Sequence, residues 1–133
     1  MANLDCSIDV KDYCEGMKIA TRKTKWILSG KIPKSADDLS FVGRDGDKFS
    51  WWNVIPPKTD YWHAHQILGR AYAFELLDLF NNPKAEYSEH ILAYITSGMT
   101  RWARTVEPVA AEGMQQGFFE VLSEFLGKGS VNR

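Results

Sequence analysis

A chain of 133 residues with 44% hydrophobic, 25% charged and 13% aromatic residues has the balance of one folded domain with a real core; it is too short for two ordinary domains and too apolar for a disordered tail. A formal net charge of -1 supplies no global field for nucleic acid or acidic lipid, so an electrostatic partner must be met by a local patch. No apolar run is long enough to cross a bilayer, and the N-terminus MANLDCSIDVKDYCEG has no basic region followed by an apolar stretch, so a cytoplasmic location without membrane attachment is expected.

The first helical segment is VKDYCEGMKIATRKTKWILSG, residues 10–30. Tyr13, Met17, Ala20, Thr24, Ile27 and Leu28 share one face, Ser7 or Asp9 can cap its start, and Gly30 stops it. The two cysteines, Cys6 and Cys14, are expected as free thiols in a reducing compartment; on one helix they would lie about 12 Å apart, too far to bridge.

A link over residues 31–60 follows. A structureless connection of that length is uncommon inside a compact domain. SADDL at 35–39 has the look of a capped helical turn, and FVGRDGDKFSWW offers Asp45-Gly46 as the turn of a small hairpin.

The second helix, YWHAHQILGRAYAFELLDLFNNP, follows the candidate cap Asp60 and ends at Asn81, Asn82 and Pro83. It is apolar nearly all round, which places it in the middle of the fold, and Gly69 with Ala73 lets a neighbour approach closely. The third, SEHILAYITSGMTRWAR, carries Ile91, Leu92, Ile95, Gly98, Met99 and Trp102 on one stripe. The fourth, TVEPVAAEGMQQGFFEVLSEFLGKG, is expected to start at a Thr105 cap with Pro108 in its first turn. Its inward face is Ala110, Met114, Phe118, Val121, Leu122 and Phe125, and it stops at Gly127 beside Lys128. Short connections favour antiparallel neighbours. The expected architecture is therefore all-α: a four-helix bundle-like single domain over residues 1–127, a link carrying a helical turn and a small β-hairpin, and a frayed tail over 128–133.

The stretch FSWWNVIPPK, residues 49–58, draws most attention for function. Successive strand residues point to opposite faces, so a flat ribbon cannot bury both Trp51 and Trp52, and one of them should be partly exposed. Tryptophan on a loop or edge is enriched at interaction hot spots. Against this stands a structural role, in which both rings fold over the bundle's open end and Val54, Ile55 and the prolines seal it. Arg44 and Lys48 on the same link would rim such a site with cations.

A second candidate is the basic stretch 18–34, with Lys18, Arg22 and Lys25 on one helix stripe beside Trp26. Cations at helical pitch with an aromatic suit a nucleic-acid backbone; a solvated face or an acidic protein partner explains them as well. His63 and His65, two apart on a helix, diverge by about 200° and cannot share a metal there, so no metal site is expected. Glu75 with Asp78, and Asp12 with Glu15, form acidic pairs three apart, an arrangement that resembles all-α nucleotide pyrophosphohydrolases, whose paired carboxylates hold Mg²⁺ against phosphates. The pairs are more widely separated here, and Glu86 with Glu89 shows how readily chance makes them. There is no Gly-rich phosphate loop, Gly-x-Ser-x-Gly elbow or Cys–His arrangement. Binding is thus favoured over catalysis. The expected function is a small adaptor, inhibitor or regulator that needs no cofactor and acts on a protein partner through Trp51, Trp52, Arg44, Lys48, Lys18, Arg22 and Lys25. Nucleic-acid binding and Mg²⁺-dependent hydrolysis are the alternatives, and a homodimer is a further arrangement for exposed aromatics.

Overall fold

The most thoroughly apolar helical segment sits at the centre. In a computed structural model, which describes residues 32–128, helix α1 spans Trp62–Phe80 and buries Ile67, Leu68, Tyr72, Ala73, Leu76, Leu77 and Leu79. Its start differs from expectation by one residue: Tyr61, and not Asp60, holds the cap position, with no side-chain cap hydrogen bond. Asn81 closes it through an N–H donated to the Leu77 carbonyl, and Pro83 two residues on cannot continue the turn.

Helix α2 spans Ile91–Ala103 and buries Ile91, Ile95, Gly98, Met99 and Trp102. Leu92, expected on that stripe, is 37% exposed. Helix α3 spans Pro108–Lys128 and begins at proline, whose missing N–H is one that a first turn leaves unpaired anyway. Thr105 does not cap it; its hydroxyl donates instead to the Trp102 carbonyl at 2.8 Å, closing α2.

The main helix pair is α1 with α3, and the two run parallel. Gly113 faces Trp62 and His65, while Gly117 faces Gln66 and Arg70, so residue numbers rise together along both helices. A Cβ added at Gly117 would collide with the Gln66 carbonyl oxygen, and one at Gly69 with that of Met114. The two backbones therefore touch where side chains would ordinarily hold helices 8–10 Å apart. The close pairing therefore joins α1 to the helix after next, with α2 carrying the chain back between them.

The four-helix bundle is overturned as well. Among the described residues there are three α-helices and one two-stranded antiparallel sheet. The segment 10–30 read as a first helix lies outside the described residues, as do both cysteines and the tail from 129. The link is no accessory either, because Ala36, Leu39, Phe41, Trp52 and Val54 are all buried in the common core. Its start is tied to the end of α1: Asn82 Nδ2 donates to the Pro33 carbonyl and the Glu86 N–H to that of Lys34, each at 2.9 Å.

Within the link the expected turn is a short 3-10 helix at Ala36–Asp38. The hairpin consists of β1, Gly43–Asp45, and β2, Lys48–Ser50. Its register pairs Gly43 with Ser50, Arg44 with Phe49 and Asp45 with Lys48, so the two-residue loop is Gly46-Asp47, one position beyond the Asp45-Gly46 expected. Gly46 has φ 64° while Asp47 stays at negative φ, the pattern of a type II′ turn with glycine first.

Candidate functional site: an aromatic ladder on the hairpin

Strand geometry separates the two tryptophans. Phe49 and Trp51, two apart, share one face, and Arg44 lies opposite Phe49 on that face. Trp52 points the other way. It is 4% exposed and packs edge-on against Tyr72, Trp102 and Phe118, with centroids at 5.7, 6.0 and 5.2 Å, and at a tilt against Phe41 at 4.7 Å.

On the outer face a ladder of rings builds up from the hairpin to α2. The Arg44 guanidinium lies 4.1 Å from the centroid of Phe49, Phe49 stacks at a tilt on Trp51 at 4.7 Å, and Trp51 on Tyr94 of α2 at 5.4 Å. His90, the cap residue just before α2, continues it at 6.3 Å from Tyr94. Phe49 and Trp51 are half-buried and Tyr94 is 41% exposed. Gly98 makes the close seating of the hairpin exit on α2 feasible: a Cβ there would lie 2.9 Å from Trp51 Cβ and 3.1 Å from the Trp52 nitrogen.

Arg44 is held in place from its other side. Its Nε and Nη2 donate to Asp37 Oδ1 and Oδ2 at 2.9 and 2.8 Å, the two-pronged geometry a guanidinium and a carboxylate favour. That hydrogen bonding holds the Asp37 carboxyl below its ordinary range. The pair is solvent-exposed, so its contribution is orientation more than stability.

After Trp52 the chain stays on α2. Trp102 Nε1 donates to the Val54 carbonyl at 2.8 Å, Val54 turns inward, and Ile55 stands out at 79% exposure ahead of Pro56 and Pro57.

The structure thus brings together Arg44 and Trp51 of the expected contact residues, puts Lys48 opposite Asp45 on the other face of the hairpin, and places Trp52 in the core. Lys18, Arg22 and Lys25 lie outside the described residues. Phe49 and Tyr94 were not singled out by sequence. Phe49 was signalled by its position two before Trp51, whereas Tyr94 joins the ladder through tertiary packing alone.

Glu75 has a different role from the one its acidic pairing suggested. It is fully buried, and Oε1 accepts the Ser40 N–H at 2.6 Å, joining α1 to the link. Burial pushes its carboxyl up to about 8, the Ser40 hydrogen bonding offsetting only part and Asp78 adding to the rise. At neutral pH it is a neutral acid inside the core, closed to a hydrated cation. Asp12 and Glu15 lie outside the described residues, and among those described no group of three His, Cys, Asp or Glu side chains is arranged to hold a metal. His65 is likewise a core residue, its Nε2 donating to the Thr59 carbonyl at 2.8 Å.

On α3 a shallow groove is lined, among the described residues, by Glu112, Gln115, Gln116, Phe119, Glu120, Ser123 and Glu124. It shares no residue with the ladder. Burial acts to raise the Glu120 carboxyl, but hydrogen bonds from Gln66, Gln116 and Arg70, together with the Arg70 charge, outweigh it and hold the group low. Its role is to join α3 to α1.

Among the described residues no helix is long and apolar enough to cross a membrane. Comparison of the chain with protein-family models, curated proteins and solved structures yields no match.

Proposed function

We propose that the protein acts by binding a protein partner through the outer face of its hairpin, with Trp51, Phe49 and Tyr94 as anchors and Arg44 at the rim. The observation that carries this reading is the ladder itself: rings that a core would normally enclose are held side by side at the surface, stacked in advance and braced by an arginine. Pre-ordered aromatics lose little freedom on binding, and aromatic and arginine side chains are the residue types enriched at hot spots. In the role of adaptor, inhibitor or regulator the partner's identity supplies the biology. Hydrolysis has no support from Glu75, which is buried as a neutral acid. A nucleic-acid role would rest on Lys18, Arg22 and Lys25, and would demand binding that weakens steeply with salt as counterions are released.

The test is affinity capture from source-cell lysate with and without nuclease, using the parent protein and a Trp51→Ala variant of confirmed fold. A defined protein that survives nuclease and is lost with the variant is the expected result. Capture that the variant leaves unchanged would refute the ladder as the contact surface.

A further inference from the structure

The inner side of α3 is buried, yet its outer side also carries apolar side chains at helical spacing: Phe119 is half-buried and Leu126, seven residues on, stands 79% exposed. Glu112, Glu120 and Glu124 line the shallow groove around Phe119. Arg70 engages two of these, Glu120 at 3.1 Å and Glu124 at 3.5 Å, which leaves more negative than positive charge on the face. Among the described residues the lining of this groove comes from α3 throughout, so a second wall has to come from outside residues 32–128.

We infer that residues 18–31 of the same chain lie along this face, their cations on the carboxylates and their apolar residues over Phe119 and Leu126. The stretch carries Lys18, Arg22, Lys23, Lys25 and Lys31 with no acid among them, and Trp26, Ile27 and Leu28 in their midst. It is the complement of the face in charge and in polarity. The other undescribed end, GSVNR, offers a single cation and no aromatic. The point of attachment agrees. Gly113 beside Trp62 and Gly117 beside Gln66 set the end of α1 level with the last turn of α3. Asn82 and Glu86 fasten Pro33 and Lys34 just past that end of α1, so the stretch joins the described structure at the Leu126 end of the face. From Lys128 back to Phe119 is about 14 Å at the rise of a helix. Residues 18–31 would reach about 21 Å coiled as a helix and about 46 Å extended, so either form passes Phe119. A short tether gives such a segment an effective concentration of about millimolar, at which modest surface contacts hold it where a separate chain would dissociate. The face shares no residue with the ladder, so the inference stands apart from the proposed function. It also takes up the cations on which a nucleic-acid role would rest.

The experiment joins zero-length carbodiimide cross-linking to limited trypsin digestion, on the full chain and on a Glu112→Lys, Ser123→Lys double variant. Both positions are exposed and take no part in the Arg70 bridges; a cooperative melting transition checks that the variant is folded. Mixing isotope-labelled with unlabelled chains separates links within a copy from links between copies. Links within one copy are expected from the lysines of 18–31 to Glu112, Glu120 or Glu124 of the parent chain. Cleavage after Arg22 should become about tenfold faster in the variant, and likewise in high salt, as like charge or screening releases the segment. Links that form only between copies, no links to α3, or cleavage that neither the variant nor salt changes would overturn docking in cis.

Discussion

Replacing Glu75 with glutamine should stabilise the protein at neutral pH and not at acidic pH. In the folded state the carboxyl is pushed up to about 8, against an ordinary value of 4.5, because burial penalises the charged form. A raised acid contributes its stability fully below the unfolded value; that contribution is lost as pH rises from about 4.5 toward 8 and changes no further above. At pH 7 the folded protein must keep a proton that the unfolded chain gives up. Over the interval from 4.5 to 7, at about 1.4 kcal/mol per pH unit, this costs about 3 kcal/mol. Set against a domain stability of about 5–15 kcal/mol, that is a large share. Glutamine has no proton to hold, and its side-chain oxygen can still accept the Ser40 N–H. Urea unfolding of Glu75→Gln and parent at several pH values isolates this site, since other titrations cancel in the difference. The advantage of the variant should be about 3 kcal/mol at pH 7 and close to nothing at pH 4. A difference that does not change with pH would refute a raised carboxyl at this position, and a variant less stable at every pH would show that Glu75 is held as a carboxylate.

The two tryptophans should separate sharply in stability. Trp52→Ala empties the space among Phe41, Tyr72, Trp102 and Phe118 and is expected to cost about 3–5 kcal/mol in chemical denaturation, whereas Trp51→Ala, which loses two ring contacts at the surface, should cost about 1–2 kcal/mol and leave a folded chain. Equal losses would place both rings in one environment. Gly117→Ala should lower the melting temperature although alanine is the better helix former by about 1 kcal/mol, because its Cβ meets the Gln66 carbonyl and the resulting overpacking costs about 1–3 kcal/mol; a rise would mean the α1–α3 contact is looser than the geometry implies. Arg44→Ala should leave melting nearly unchanged and weaken capture of the partner, since its contacts with Asp37 and Phe49 are at the surface.

Local signals in the sequence carried well where one short-range rule decides. The turn at 35–39 forms where expected, though Ser35 makes no side-chain cap hydrogen bond; the hairpin around Gly46 follows from the demand for positive φ, with the loop one residue later than the dipeptide suggested. Strand alternation required one tryptophan in and one out; which faced inward depended on where Phe41, Tyr72 and Phe118 had gathered. Which helices pair most closely was not legible, because apolar periodicity names a buried face and not the face it meets. Gly113 and Gly117, four apart on one side of α3, mark a close approach, yet the backbone they meet, at Trp62, Gln66 and Arg70, lies far away in the chain. Glu75 was not readable as a core residue, because Asp78 on the same helix is only half-buried and their pairing drew attention to a shared acidic face. Tyr94 enters the ladder only because Gly98 lets the hairpin rest on α2.

The buried acid and the exposed ladder are parts of one construction. Ser40 lies between Leu39 and Phe41, both buried, so its N–H cannot reach water and would be left unpaired without an acceptor from α1. Glu75 supplies that acceptor at 2.6 Å. Phe41 then accepts the Asn53 N–H through its carbonyl at 2.7 Å, and Trp102 holds the Val54 carbonyl at 2.8 Å. The hairpin is thus fastened at both of its ends, just before β1 and just after Trp52. A sheet of two three-residue strands has little stability of its own; fastened in this way it can present Phe49 and Trp51 in fixed positions. Rigidity of that kind lowers the entropy lost when a partner is bound, which is why a core carboxyl far from any contact surface bears on how well that surface can bind.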